Sequence, residues 1–435
     1  MLDVMERGLA ALMRGGYEGE AFGMRTRFTS IRIEDGRISG LDGGEVLGIG
    51  IRCAISGKVG FSYTTDPQRI EGCVKEAIKL AKVAGSDFRG FPDRSSDYPS
   101  VDGIFDPDIL EFDPDRGVEY ATMLIDAAKE VDRSIDVTGG EFSVSSASSW
   151  IVNSNGVEVC ENSTSVGASV SVALGEVAAW QEQEARLLAM IDCERIGREA
   201  ALLAVRSQNP VKIETGIRPV ILMPPAISSL LSYTTINHLL AESVQEMRSP
   251  YRGKVGEEVM SPLLSITDDG RLNNGVGSGI FDGEGVPTQR TILVEEGVLK
   301  GFLYDTYTAR KDGVESTGNA TRTFDTTPAV GPTNFIIEPG TASGEDLITE
   351  VQDGILVTDL IGAHTASRTS GEFSLLVHNG FRIERGEMTD PIRQVMISGS
   401  TVDLLRNVSL IGSDTRQYGA VVSPSILFED VQVTQ

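Results

Sequence analysis

Residues 354–388 read GILVTDLIGAHTASRTSGEFSLLVHNGFRIERGEM, and the changes of period along this stretch decide the fold class. Ile355 to Ile361 is an apolar run of the kind a buried strand needs. Gly362, His364, Thr365 and Ser367 then form a polar turn that closes at Gly371. From Glu372 to His378 apolar and polar side chains alternate, the period of a half-buried strand, and Arg385 with Gly386 marks a hairpin. Two of the three histidines of the chain lie here, so any histidine-dependent chemistry is decided largely in this stretch.

The same period-two pattern recurs outward in both directions. Toward the N-terminus, Glu20 to Thr64 alternates around hairpin signals at Glu34–Gly36 and Ser56–Gly57, and Ile135 to Ala173 does so around Asn155–Gly156, whose residues tolerate positive φ. Helices interrupt these runs at 2–14, from Asp66–Pro67 to about Val83, from Asp113–Pro114 to about Val131, and from Asp192 toward Val205. Three of the four open on an aspartate positioned to cap free backbone N–H groups, and in two of those a proline follows. Residues 86–112, rich in Asp, Pro and Ser, are expected to be a long surface loop. Beyond Asn209–Pro210 come a strand at Pro219–Leu222 and a helix opened by Pro224–Pro225 that is expected to run to about Met247. Later strands are expected at 291–294, 298–303, 394–397, 408–411 and 426–433. Few helices among many hairpin-linked strands predict an α+β fold: an N-terminal α+β domain over 1–210 and a C-terminal domain over 211–435 dominated by antiparallel sheet.

Composition bounds the function. The chain has 435 residues, more than one ordinary core accommodates, and 40% of them are hydrophobic. Thirty-eight Lys and Arg stand against 63 Asp and Glu, a formal charge of −25 that repels phosphate backbones and argues against broad nucleic-acid binding. Cys53, Cys73, Cys160 and Cys193 are scattered without a CxxC pair, which speaks against a zinc ribbon or a disulfide framework and for reduced thiols. The sequence has neither a basic leader followed by an apolar run nor an 18-residue apolar span, so a cytoplasmic protein without a membrane segment is expected.

Chemistry is sparse. On the 224–247 helix, His238 and Glu242 stand four apart and could share a metal with His364 or His378, although such a pair equally makes a simple surface hydrogen bond. The cysteines have no adjacent histidine, and GxSxG is absent. Gly275, Gly277 and Gly279 resemble the start of a phosphate loop, but no Lys-bearing helix follows, and a flexible loop is expected. Arg310, Lys311 and Arg322 gather positive charge around the polar loop Ser316–Arg322, which reads either as a solvated loop or as a grip on a peptide carboxylate or on a partner's acidic surface.

ARKDGVESTGNATR (309–322) together with GAHTASRTSGEFSLLVHNGFRIERGEM (362–388) resembles the TldD and TldE (PmbA) family, formerly described as modulators of DNA gyrase. IRIEDGRISG, GIGIRCAISGKVGFS and FDGEGVPTQRTILVEEGVLKGFLYD match it in order, so the resemblance spans nearly the whole chain. It implies a cytoplasmic zinc-dependent peptidase assembled as a heterodimer, in which a TldD-type subunit carries HExxxH on the helix corresponding to 224–247 and a cysteine ligand in the stretch corresponding to 372–380. This chain has Ser232 and Tyr233 where the first His and Glu would stand, Ile236, Asn237 and His238 beyond them, and no Cys between Phe373 and Asn379.

The resemblance therefore implies the TldE-like half: no zinc and no catalytic residue in this chain, zinc in an HExxxH-bearing partner, and unfolded or small peptides as substrate, which could add to an exposed sheet edge. His364, Thr365, Gly371, Glu372 and Phe373 are expected to line a shared chamber. The competing readings are a self-sufficient homodimeric metallopeptidase using His238 and Glu242, with a homodimer when alone, and a binding module that regulates a protein partner such as a topoisomerase.

Overall fold

The computed structural model of the chain describes residues 1–85 and 87–435, so Ser86, the first residue of the expected 86–112 loop, lies outside the described residues. Helix α1 (Leu2–Arg14) is followed by three long strands, β1 (Glu18–Glu34), β2 (Arg37–Ile55) and β3 (Lys58–Thr64). Their tight links form because Asp35–Gly36 and Ser56–Gly57 take positive φ at both positions. Helices α2 (Ile70–Val83) and α3 (Pro114–Val131) come next, the first entered through a short 3₁₀ turn. Asp66 and Asp113 accept hydrogen bonds from the backbone N–H of Gln68 and Asp115, as the capping rule requires. Strands β4 (Asp136–Asn153), β5 (Glu158–Leu174) and β6 (Val177–Ala185) and helix α4 (Cys193–Arg206) complete this half. The six strands form one antiparallel sheet in the order β3-β2-β1-β4-β5-β6.

One local expectation needs correction here, and one strand goes unannounced by its sequence. At the β4–β5 turn only Gly156 takes positive φ, while the Asn155 amide donates to Phe91 O and Asp93 and fastens the preceding loop. Strand β6, VAAWQEQEA, carries no strand pattern; it is made a strand by pairing with β5 from Val166 to Leu174.

The second half begins with β7 (Gly216–Leu222). The single helix expected to reach Met247 is three pieces: α5 (Pro224–Tyr233), α6 (Thr235–His238) and α7 (Ala241–Gln245). Thr234 leaves helical geometry at φ −126°, ψ −85°, at the head of the β-branched run Thr234–Ile236. Leu240 is extended, and Leu239 and Ala241 exchange backbone hydrogen bonds with Leu303 instead of continuing a helix. The remaining elements are β8 (Ile266–Asp269), β9 (Arg290–Glu295), β10 (Val298–Leu299), α8 (Thr306–Asp312), β11 (Ala320–Thr321), β12 (Ala329–Val330), β13 (Phe335–Ile337), α9 (Gly344–Thr349), β14 (Asp353–Ile361), β15 (Glu372–Glu384), β16 (Glu387–Ile392), β17 (Met396–Ser400), α10 (Thr401–Leu404), β18 (Val408–Ile411), β19 (Arg416–Tyr418), β20 (Val421–Ser423) and β21 (Ile426–Thr434).

One sheet runs β10-β9-β8-β13-β20-β19. β11 and β12 pair only with each other, and in the seven-stranded sheet β14, β7, β21, β17 and β15 pair in sequence and β15 returns to β14, so the five strands close into a ring, with β16 and β18 attached outside it. Most pairs are antiparallel, with β14–β7 and β13–β20 the parallel ones among the described residues. The chain is α+β, and the opening stretch of the sequence supplies two adjacent staves of the ring. Ile355, Val357, Phe373, Leu375 and Val377 face the largest core, shared with α5 and the second sheet.

Gly275, Gly277 and Gly279 are packed rather than flexible. The Gly277 N–H donates to Asn334 Oδ1 at 3.0 Å, and a Cβ on Gly277 would sit 2.0 Å from Thr333 O.

Candidate functional site

The β14-to-β15 corner meets the end of α5 and α6, and this junction gathers most of the residues singled out in the sequence. Gly362, at φ +89°, turns the chain out of β14, and Thr365 donates to Gly362 O at 2.8 Å. The corner closes when Gly371 N–H donates to Ser367 O and Ser367 N–H to Glu372 O, at 2.9 and 2.8 Å. His364, Thr365 and Glu372 are exposed, and the His364 ring meets Tyr233 of α5 edge-on at 6.4 Å. Gly371 and Phe373, expected to line the same chamber, are buried within this chain and hold the corner against the core.

His238 lies beneath this corner with no exposed surface. Its ring meets Tyr251 edge-on at 5.8 Å, and its Cε1 would be 3.0 Å from a Cβ placed on Gly371, a position at φ +76° that only glycine fills without strain. Ser249 donates to its carbonyl at 2.6 Å. Burial holds the imidazole down at about 4, hence neutral at physiological pH, while the Arg368–Thr369 backbone beside it favours the charged form less strongly. Both ring nitrogens, the Tyr251 hydroxyl and the Thr401 hydroxyl are buried without hydrogen-bond partners among the described residues. Glu242 is exposed and on α7, beyond the break at Leu239–Leu240, so the one-turn spacing that would pair it with His238 does not exist.

Zinc needs three or more convergent His, Cys, Asp or Glu donors, and the residues at this corner do not fit it. His238 faces glycine, tyrosine and threonine, and no three such side chains converge anywhere among the described residues. His378, on β15, lies with Nδ1 3.5 Å from Asp359, apart from the His238 cluster.

Arg322 overturns both readings given to its loop. Its side chain is buried, makes an ion pair with the buried Glu20 carboxylate of β1, and stacks over Phe22 at 4.5 Å. The Arg52 guanidinium of β2 donates to both Glu20 oxygens at 2.9 and 2.7 Å and to Glu284 at 2.9 Å. Burial raises the Glu20 carboxyl, and the two guanidiniums more than reverse that, holding it below the usual carboxylate range. Arg310 donates to the carbonyls of Arg89 and Phe91 at 2.6 and 2.9 Å. Arg310 and Arg322 are therefore committed to joining the two halves of the chain, while Lys311 is exposed, with its ammonium over the Tyr307 ring. Sequence spacing carries no sign of this, because Arg322 and Glu20 are 302 residues apart.

The cysteines offer no nucleophile near this corner. Cys53, Cys73 and Cys193 are buried, and burial pushes the Cys53 and Cys193 thiols up to about 11 and about 12. No described helix is long and apolar enough to cross a membrane.

Three family descriptions match in chain order: PmbA/TldA metallopeptidase domain 1 over residues 19–81, its central domain over 107–208 and its C-terminal domain over 215–435. An uncharacterized protein of Methanocaldococcus jannaschii is 32% identical over 95% of this chain and 96% of its own. The metalloprotease PmbA of Escherichia coli O157:H7 is 27% identical over 94% of this chain and 90% of its own. The crystal structure of TldE from Thermococcus kodakarensis superposes with a TM-score of 0.93 at 27% identity, covering 99% of this chain and all of that one. A PmbA/TldA model matched over more than half of the residues, with the other two in register before it, establishes that the chain belongs to the PmbA/TldA metallopeptidase family.

Proposed function

We propose that this chain is the TldE/PmbA-type, noncatalytic subunit of a heterodimeric zinc peptidase that processes unfolded or small peptides. The observation that carries the reading is the state of His238. It is the one histidine on the α5–α7 segment, where the family resemblance implies the zinc ligands of the other subunit type, and it is buried, neutral and separated from Glu242 by a break in the helix. Zinc, and the water it activates, would come from an HExxxH-bearing TldD-like partner. The contribution of this chain is then a surface: His364, Thr365, Glu372 and Tyr233 present polar and aromatic groups on a corner that the closed strand ring holds rigid.

The test is metal content and hydrolysis of an unfolded peptide by the purified chain, alone and mixed with an HExxxH-bearing family member from the same cell. Neither zinc nor cleavage alone, with chelator-sensitive cleavage in the mixture, is the expected result. Stoichiometric zinc and cleavage by the chain alone would overturn it in favour of a self-sufficient enzyme. Stable capture of a partner without any cleavage would make the chain a regulatory binding module.

A further inference from the structure

At the end of α5 opposite Tyr233, a cleft of about 410 Å³ opens between α4 of the first half and the outside of the strand ring. Leu203, Ile221, Leu347, Leu356, Phe381 and Met388 give it an apolar lining, and its size lies within the ~300–1,000 Å³ typical of small-molecule sites. Three polar side chains on its wall are arranged unusually. Trp180 of β6 donates its indole N–H to Asp359 Oδ2 at 2.6 Å, which leaves Asp359 Oδ1 buried with no donor. Asn379 of β15, 3% exposed, donates its amide N–H to Ala178 O at 3.1 Å. That bond fixes the orientation of the amide, so Asn379 Oδ1 is a second buried acceptor without a donor.

Two buried acceptors left open, one of them on a carboxylate, call for a ligand that brings N–H groups. The half-buried Trp180 indole beside them is the aromatic surface best suited to a cation. The surrounding charge has the matching sign. Glu182 stands near both Glu184 and Asp359, and burial together with these two like charges raises its carboxyl. Among the cations of the lining, Arg416 has both terminal nitrogens on Glu199 at 3.0 and 3.1 Å, while Arg206 is exposed.

We propose that this cleft binds a hydrophobic primary amine, with an aliphatic or aromatic body along the α4–ring seam and the ammonium head at Asp359, Asn379 and Trp180. The same chemistry is presented by a free alkylamine and by the amino terminus of a peptide with apolar first residues. The site is independent of the His238 corner and of the peptidase reading.

The test is isothermal titration of the full chain with n-octylamine, n-octanol and octanoate, and with a Leu-Leu peptide amide whose amino terminus is free or acetylated. Octylamine is expected to bind at least roughly tenfold more tightly than octanol or octanoate, the preference a charged hydrogen bond supplies. Asp359→Asn should remove that preference while leaving octanol binding unchanged. Leu202→Trp, at an exposed position on the rim, should weaken all three ligands by narrowing the cleft, with an unchanged melting temperature showing that the fold is intact. Tighter binding of the free than of the acetylated peptide would extend the assignment to peptide amino termini; octylamine binding alone would support it with a free amine as ligand. Octanoate binding as tightly as octylamine, amine binding untouched by both substitutions, or no binding at all would overturn it.

Discussion

His238 predicts a specific loss of stability on acidification. In the folded chain its imidazole is held at about 4 by burial, against an ordinary value near 6.5. Between those values the unfolded chain binds a proton that the folded chain refuses, so stability falls as pH falls, in proportion to the proton difference. At about 1.4 kcal/mol per unit, the group should cost the fold about 2 kcal/mol between pH 7 and pH 5. Buried acids whose carboxyls are raised, such as Glu161 and Asp268, act in the opposite sense, because there the folded state binds the extra proton. The assay must therefore compare two proteins: urea unfolding of the wild type and of His238→Phe at both pH values, with the variant subtracting every contribution except the imidazole. Phe replaces one ring by another against Tyr251 and cannot titrate. A wild-type-minus-variant difference that stays flat between pH 7 and 5 would refute the claim that the folded site excludes the proton.

Other perturbations probe the frame around that site. Glu20→Gln leaves the Arg52 and Arg322 guanidiniums without their shared buried anion and should destabilise the fold by ~3–5 kcal/mol in urea titration; a loss below ~1 kcal/mol would show that the network relaxes into solvent. Gly371→Ala forces a side chain into φ +76° and to within 2.5 Å of Thr401 Oγ1, so a loss of at least ~1–3 kcal/mol is expected by thermal unfolding, and an unchanged melting temperature would contradict the close packing. Phe373→Asp buries an unpaired carboxylate at a 5% exposed position and should lower stability before any effect on assembly; a stable variant that fails only in peptide cleavage with the partner would restore that side chain to the chamber wall.

What the sequence disclosed and what it concealed divide along a physical line. Hairpins and caps are local, so Asp35–Gly36, Ser56–Gly57 and Arg385–Gly386 turn where they read as turns, and Asp66, Asp113 and Asp192 cap where they read as caps. Strand β6 and the broken α5–α7 segment were hidden because distant partners decide them: β5 recruits a helix-like composition into the sheet, and Leu303 takes the backbone groups on either side of Leu240. The candidate site divides in the same way. The corner from Gly362 to Gly371 was legible as a turn, but alternation alone could not show that Phe373 points inward while Glu372 and His364 face solvent. The role of Arg322 was out of reach, since its carboxylate partner belongs to the first strand.

The closed ring also bears on how the protein is made. Gly216 in β7 pairs with Val433 in β21, so one side of β7 stays open while roughly 200 further residues are synthesised. At ~5–20 residues per second that is about 10–40 s of exposed strand edge. The first sheet closes sooner, because all of its pairs lie inside residues 18–185 and its most distant one joins Glu20 in β1 to Asn153 in β4. During translation the finished first half should therefore stand as a folded platform beside an unfinished barrel, which makes the apolar strand Gly216–Leu222 the segment of the nascent chain most in need of shielding from aggregation.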